Sequence, residues 1–243
     1  MGLATAKMLL DGGARVLVTG LSKAGLESAQ KELGKDALVV SSDARSLTDI
    51  DALASRVKAE FDIFDLLFVN AGFSIRAPLE SITEAVYDEM FNLNAKGPLF
   101  AVQKLAPLIN RGGAVVLTTS IANVKGMPGK ATYGAAKAAL RSFARVLAAE
   151  LLPREIRVNA VTPGPIDTPI LGKMFPDKDA AAHLEARYQS QRCGTQPSRP
   201  RPITVHARTT MLSNLPHSCC SVQQLLVRVI FPPGISDRSR PAQ

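Results

Sequence analysis

The chain has no run of the roughly 18 apolar residues that a membrane helix requires, although 46% of its 243 residues are hydrophobic. No basic stretch followed by an apolar core succeeds Met1, so no signal peptide is read and the expectation is a cytoplasmic protein without a membrane partner. Cysteine is missing from residues 1–190. Cys193, Cys219 and Cys220 all follow, in no spacing that suits zinc, so neither a metal site nor a disulfide framework is expected. Internal repeats are absent. After residue 190 there is no lysine and no glutamate, while seven arginines and seven prolines occur.

That imbalance explains the net charge of +8. Residues 1–190 are nearly neutral, and the basicity belongs to the tail. A basic tail is a candidate nucleic-acid contact, but it carries no recognised motif and no interleaved aromatics, so nucleic acid is not an expected partner. Residues 191–243 form an Arg/Pro/Ser-rich tail of disordered or non-native character, resembling translation in a shifted reading frame. Within it, only 223–231 (QQLLVRVIF) has the composition of a strand or a helix, and it is too short to decide between them.

What is present in 1–190 is an alternation of β-rich runs and helical patterns, read as one domain. Helices are predicted at 4–10 (closed by Gly12-Gly13), 23–33, 47–61, 84–110, 132–152 and 180–189. Strands are predicted at 15–19, 37–41, 66–70, 114–120 and 157–161, with a Pro/Gly loop at 162–169. Five strands alternating with helices describe an α/β fold, a doubly wound parallel sheet.

Tyr133 and Lys137 stand four apart on a predicted helix and share one face. A phenol titrates near 10 and exchanges protons poorly at neutral pH. An ammonium about 4 Å away stabilises the phenolate by about 4 kcal/mol at an effective dielectric of 20, roughly three pKa units. That brings tyrosine into a range useful for proton transfer with an alcohol. Tyr-x-x-x-Lys alone is better read as a surface helix pair. Ser120, thirteen residues earlier, ends a predicted buried strand at the sheet edge where such folds bind ligands. Alone it reads as a strand-end cap. Asn70-Ala71-Gly72 ends another strand at the same edge.

With Asn94 in the run Asn92 to Gly97 and Pro163-Gly164 followed by Ile166 and Thr168, these residues resemble the classical branch of the short-chain dehydrogenase/reductase family over 2–189. The resemblance implies a Rossmann-type domain moving a hydride between a nicotinamide cofactor and a carbonyl/alcohol substrate. It makes Tyr133 the general acid/base, Ser120 the substrate anchor, Lys137 the modulator of Tyr133 and a ribose ligand, and Asn94 the holder of a relay water. For the cofactor it implies Gly2, Ser22, Asp43, Asn70, Ala71, Gly72, Tyr133, Lys137, Pro163, Gly164, Ile166 and Thr168. No carboxylate follows the first predicted strand, where Gly20, Leu21, Ser22 and Lys23 stand. Ser22 or Lys23 can meet a 2′-phosphate, which favours NADP(H) over NAD(H). Phe73, Ile121, Ala122 and 170–189 would line a mostly apolar pocket, and the helices at 84–110 and 132–152 would pair copies into a dimer or tetramer.

The sequence also departs from the family pattern. It starts at the last glycine of the phosphate turn, Gly2, without the family's first strand, and 191–243 does not supply its last one. A gap inside the sheet is therefore expected, with the Met1 ammonium at the positive end of a helix dipole, costing roughly 0.3–1 kcal/mol. The competing expectation is an inactive remnant, or a subunit of the same family that binds without turnover.

Overall fold

The computed structural model describes residues 1–164 and 224–228, which belong to one compact unit. The readings made for 165–169 and 180–189, and the three cysteines, lie outside the described residues. Helix α1 spans Gly2–Asp11, β1 Arg15–Gly20, α2 Lys23–Leu33, β2 Ala37–Ser41, α3 Leu47–Phe61 and β3 Phe64–Val69. Helix α4 spans Glu84–Phe91, a π turn Asn92–Lys96, α5 Gly97–Leu105, β4 Ile109–Thr118, α6 Ala131–Leu151, β5 Arg157–Val161 and β6 Gln224–Arg228.

Local chemistry explains most boundaries. Ser22, Ser46 and Thr83 cap α2, α3 and α4, each accepting from the backbone N–H three residues on. Ser46 also donates to Asp49 Oδ1 at 2.8 Å, tightening the first turn of α3. At the start of α1 there is neither a side-chain cap nor an acid in the first turn, and burial lowers the pKa of the Met1 ammonium.

Two expectations fail along 84–120. The predicted helix 84–110 is interrupted by the π turn at Asn92–Lys96 and ends at Leu105. Strand β4 then begins at Ile109, before Gly112-Gly113 and not after them. Phe64 pairs with Ile109 but Leu66 with Ala114, so the glycines form a bulge within the strand. Asn110 Nδ2 donates to Asp65 Oδ1 at 2.6 Å across that bulge.

The six strands run β2-β1-β6-β3-β4-β5. Pairs β1/β2, β3/β4 and β4/β5 are parallel. The gap expected between β1 and β3 is closed by β6, from the tail, lying antiparallel to both. Leu226 pairs with Leu17 on one side and Leu67 on the other. Unpaired N–H and C=O groups at the centre of a covered sheet are too costly to leave exposed to apolar surroundings. A short segment rich in Leu and Val satisfies them from either direction.

Strand residues alternate between two cores, the mark of double winding. On one face Leu17, Leu67, Val69, Val115 and Leu117 pack with Leu53, Val57 and Phe61 of α3, Val102 and Leu105 of α5, and Leu140 of α6. On the other, Val16, Val18 and Phe68 pack with Leu3 and Ala6 of α1 and Ala29 and Leu33 of α2. The carboxyl ends of all five parallel strands reach the same edge of the sheet.

Leu226→Pro removes the donor from the centre of β6 and should destabilise the chain by about 3 kcal/mol or more. Chemical denaturation measures this, and amide exchange should show β1 and β3 losing protection together. An unchanged midpoint would mean that β6 is not what holds the sheet shut.

Candidate active site

Ser120 leaves the end of β4 in extended conformation and caps the short turn Ile121–Asn123, its Oγ accepting from Ala122 N–H at 3.2 Å. The backbone around it is pinned to β5: Thr119 N–H donates to Val161 O at 2.8 Å, and Ile121 N–H to Pro163 O at 3.1 Å. Thr119 Oγ1 also donates to Val161 O at 2.8 Å. Asn70 is held by Thr118 Oγ1, which donates to its Oδ1 at 3.3 Å.

Helix α6 brings Tyr133 and Lys137 to this edge. Tyr133 hydrogen-bonds Ser120; burial raises the phenol's pKa, and the Ser120 bond opposes that less strongly. Lys137 is 1% exposed, and its Nζ donates to Thr118 O at 2.8 Å. Burial lowers its pKa from 10.5 to about 8. Nζ lies 5.9 Å from the centre of the Tyr133 ring. The expected three-unit lowering of Tyr133 is thus not what the geometry produces. The ammonium is tied to the β4 carbonyl, and desolvation of the phenolate outweighs it.

Asn94 sits in the π turn and is fully buried. Its Nδ2 donates to Met90 O at 3.0 Å and Phe73 O at 3.1 Å, while its Oδ1 has no hydrogen-bond partner among the described residues. A Cβ at Gly72 would come within 2.8 Å of Asn94 Oδ1 and 3.0 Å of Lys137 Nζ. Gly72 is thus the one residue that lets the β3 loop pass over these two groups. A buried free acceptor beside an ammonium with unused N–H groups fits a ligand rich in hydroxyls, such as the ribose of a nicotinamide cofactor.

The remaining sequence candidates lie around the same edge in other roles. Ser22 Oγ is occupied as the α2 cap, accepting from Gly25 N–H at 3.2 Å. Lys23 pairs loosely with Glu27 at 4.0 Å, both exposed. Asp43 forms a chelate with Arg45, whose Nη2 donates to Oδ2 at 2.7 Å and Nε to Oδ1 at 3.0 Å. That interaction lowers the carboxyl's pKa. Gly2 is buried at the start of α1, and Ala71 is buried beside Ala44 and Leu93. Pro163 and Gly164 follow β5, with Pro163 O accepting from Ile121 as above. Ile166 and Thr168 lie outside the described residues. Thr118, Gly134 and Lys130 were not among the sequence candidates. Thr118 O holds Lys137, and a Cβ on Gly134 would meet Ala122 O at 2.9 Å.

A buried ammonium has a stability cost that can be measured. The interval between 10.5 and about 8 corresponds to about 3 kcal/mol. Between those values the unfolded chain holds a proton that the folded chain releases, so stability should rise with pH from about 8 to 10.5. Lys137→Met should remove that rise. It should also stabilise the protein at pH 7 by about 1–2 kcal/mol, after a loss of about 1 kcal/mol for the unsatisfied Thr118 carbonyl. Urea denaturation at stepped pH would show both effects, and a parallel pH dependence in the variant would contradict them.

Residues 1–199 match the protein family described as Enoyl-(Acyl carrier protein) reductase. The chain is 37% identical over 172 residues to an oxidoreductase of Sarocladium schorii, covering 70% of this chain and 69% of that protein. It is 33% identical over 183 residues to a 3-oxoacyl-(acyl-carrier-protein) reductase of Thermotoga maritima, covering 73% and 74% respectively. Among solved structures, a dehydrogenase/reductase from Sinorhizobium meliloti 1021 superposes with a TM-score of 0.68 at 30% identity, covering 76% of this chain and 75% of that one. A short-chain dehydrogenase/reductase from Brucella melitensis gives 0.65 at 28%, covering 69% and 72%. With its Rossmann-like sheet and the family match over most of its length, the chain belongs to the short-chain dehydrogenase/reductase family of oxidoreductases.

Proposed function

We propose that the chain moves a hydride between NADP(H) and a carbonyl/alcohol substrate, with residues 1–190 as the catalytic domain and Tyr133 as general acid/base. The observation that carries this reading is the convergence of Ser120, Tyr133, Lys137 and Asn94 at the carboxyl edge of the sheet. There the Tyr133 phenol bonds Ser120, and the Lys137 ammonium lies 5.9 Å from its ring.

When bound, the nicotinamide supplies or accepts the hydride. Ser120 Oγ anchors the substrate oxygen beside the phenol. In reduction, the carbonyl carbon gains the hydride and Tyr133 passes its hydroxyl proton to the carbonyl oxygen, leaving a phenolate. The Lys137 ammonium, 5.9 Å from the centre of that ring, attracts the phenolate as it forms. The preorganised charge therefore acts where negative charge develops. Oxidation of an alcohol runs the same proton back to Tyr133. Gly72 and Lys137 would hold the ribose end, Asn94 would hold a relay water with its free Oδ1, and Asn70, Ala71, Pro163, Gly164, Ile166 and Thr168 would complete the nicotinamide side. Gly2, Ser22 and Asp43 would serve the phosphate and adenosine side. The absence of a carboxylate after β1 and the exposed Lys23 ammonium favour the 2′-phosphate of NADP(H).

Fluorescence titration with NADPH and NADH tests the reading directly. NADPH should bind more tightly, and failure to bind either would refute the assignment. Tyr133→Phe should lower kcat by about 10²–10⁴ with cofactor affinity nearly unchanged. Activity that survives this change would remove Tyr133 from the acid/base role.

Reduction should also depend on the charge of Lys137. Its ammonium is complete well below pH 8 and is lost as pH rises through about 8, while Tyr133 stays protonated because its pKa is raised. The kcat/KM for reduction should be flat near pH 6–7 and fall above about 8. A profile from pH 6 to 10 with no such limb would count against this role for Lys137.

A further inference from the structure

A second ammonium flanks Tyr133. Lys130 Nζ lies 6.0 Å from the centre of the Tyr133 ring and donates to Ser74 Oγ at 2.8 Å. Ser74 and Arg76 belong to the loop that leaves β3. That loop is bound to the turn before α6 by Ala77 N–H, which donates to Gly129 O at 3.0 Å. Arg76 lies across the same turn: a Cβ on Gly129 would meet Arg76 Cγ at 2.8 Å and Nε at 3.3 Å. Gly129 also has φ +75°, so a side chain there would be strained and would push Arg76 away.

Lys130 is partly buried, and burial together with the charge of Arg76 lowers its ammonium's pKa. The ion pairs among the described residues use neither Lys130 nor Arg76. Two cations held together with a hydroxyl between an ammonium and the loop leave positive charge only partly compensated. A serine that accepts from Lys130 still has its own O–H to donate. Lys130, which flanks the Tyr133 ring, thus stands with Ser74 and Arg76 as three kinds of donor, with no carboxylate paired to them among the described residues.

Resting on the oxidoreductase reading above, we infer that Lys130, Ser74 and Arg76 form a subsite for an anionic group of the substrate. The chain would then select carbonyl compounds bearing a carboxylate within a few bonds of the reacting C=O over their neutral counterparts. Lys130 and Arg76 set specificity and leave the proton chemistry to Tyr133. The bland alternative is that Lys130 only tethers the 70–77 loop.

A short keto acid and its methyl ester, compared as substrates of the full chain with NADPH, separate these roles. The wild type should favour the acid in kcat/KM by about tenfold or more, as expected for a lost charge-assisted hydrogen bond. Lys130→Gln should raise KM for the acid about tenfold more than for the ester, with the smaller change in kcat. Lys130→Arg should restore most of the difference, and Arg76→Gln should reduce it. A tether alone would alter both substrates alike, so equal losses, or a wild type indifferent to the carboxylate, would overturn the subsite while leaving the reductase reading intact. Absence of turnover with both substrates would instead sink the reductase reading. Calorimetric binding of the keto acid would still decide the subsite, since binding must weaken in Lys130→Gln and must persist there if the inference is wrong.

Discussion

Everything at the active edge depends on pairing in the slot between β1 and β3. The catalytic candidates follow β4 or lie on α6 and the π turn, beside the cofactor candidates that follow β3 and β5, whereas Ser22 and Asp43 follow β1 and β2. Without a strand between them the sheet would divide into two ribbons, separating these two sets. Strand β6 joins them through backbone hydrogen bonds on both sides. Its partners β1 and β3 lie about 210 and about 160 residues away in sequence, so the contacts close some of the longest loops available to the chain. Such pairings form late, because loop entropy is lost before the contact rewards it. Until then two apolar strand edges are open, which is the usual setting for aggregation of α/β intermediates.

The second constraint is desolvation. Lys137 is buried with a carbonyl as its bonded neighbour, and Tyr133 is half-buried against a serine. Burial pushes both toward their neutral forms, the ammonium downward and the phenol upward. The same low dielectric that penalises each charge strengthens the attraction once the phenolate appears beside the ammonium. On the proposed function, the site would thus favour a charge that exists during proton transfer over the resting pair.

Much of the fold was legible because the local signals were strong. α2, β2, α3 and β5 fall at the predicted residues: serine caps open the two helices, and β-branched runs mark the strands. The π turn was missed because hydrophobic periodicity does not register one extra residue in a turn. Pro98, which cannot donate into a regular helix, was the available signal. The bulge in β4 hid behind Gly112-Gly113, which is locally indistinguishable from a turn. Strand β6 was undecidable from a nine-residue run with six apolar residues, since only tertiary pairing selects strand over helix there. The family resemblance named Ser120, Tyr133, Lys137 and Asn94 as candidates, and the fold brings them to one edge of the sheet. The direction of the Tyr133 shift required knowing how far burial desolvates the phenol. Lys130, Ser74 and Arg76 belong to no motif and come together only through the packing of two loops.

The π turn at Asn92–Lys96 divides one helical rod into two segments of different rotational phase. A regular helix advances about 100° per residue, so the extra residue sets Asn94 toward Gly72 while Met90 before it and Val102 and Leu105 after it still face the interior. Loss of one residue here would be absorbed as an unbroken α-helix, with its hydrogen bonds intact. This stretch is consequently tolerant of length change as a scaffold and intolerant of it as chemistry. A chain altered there could keep its fold and be silent.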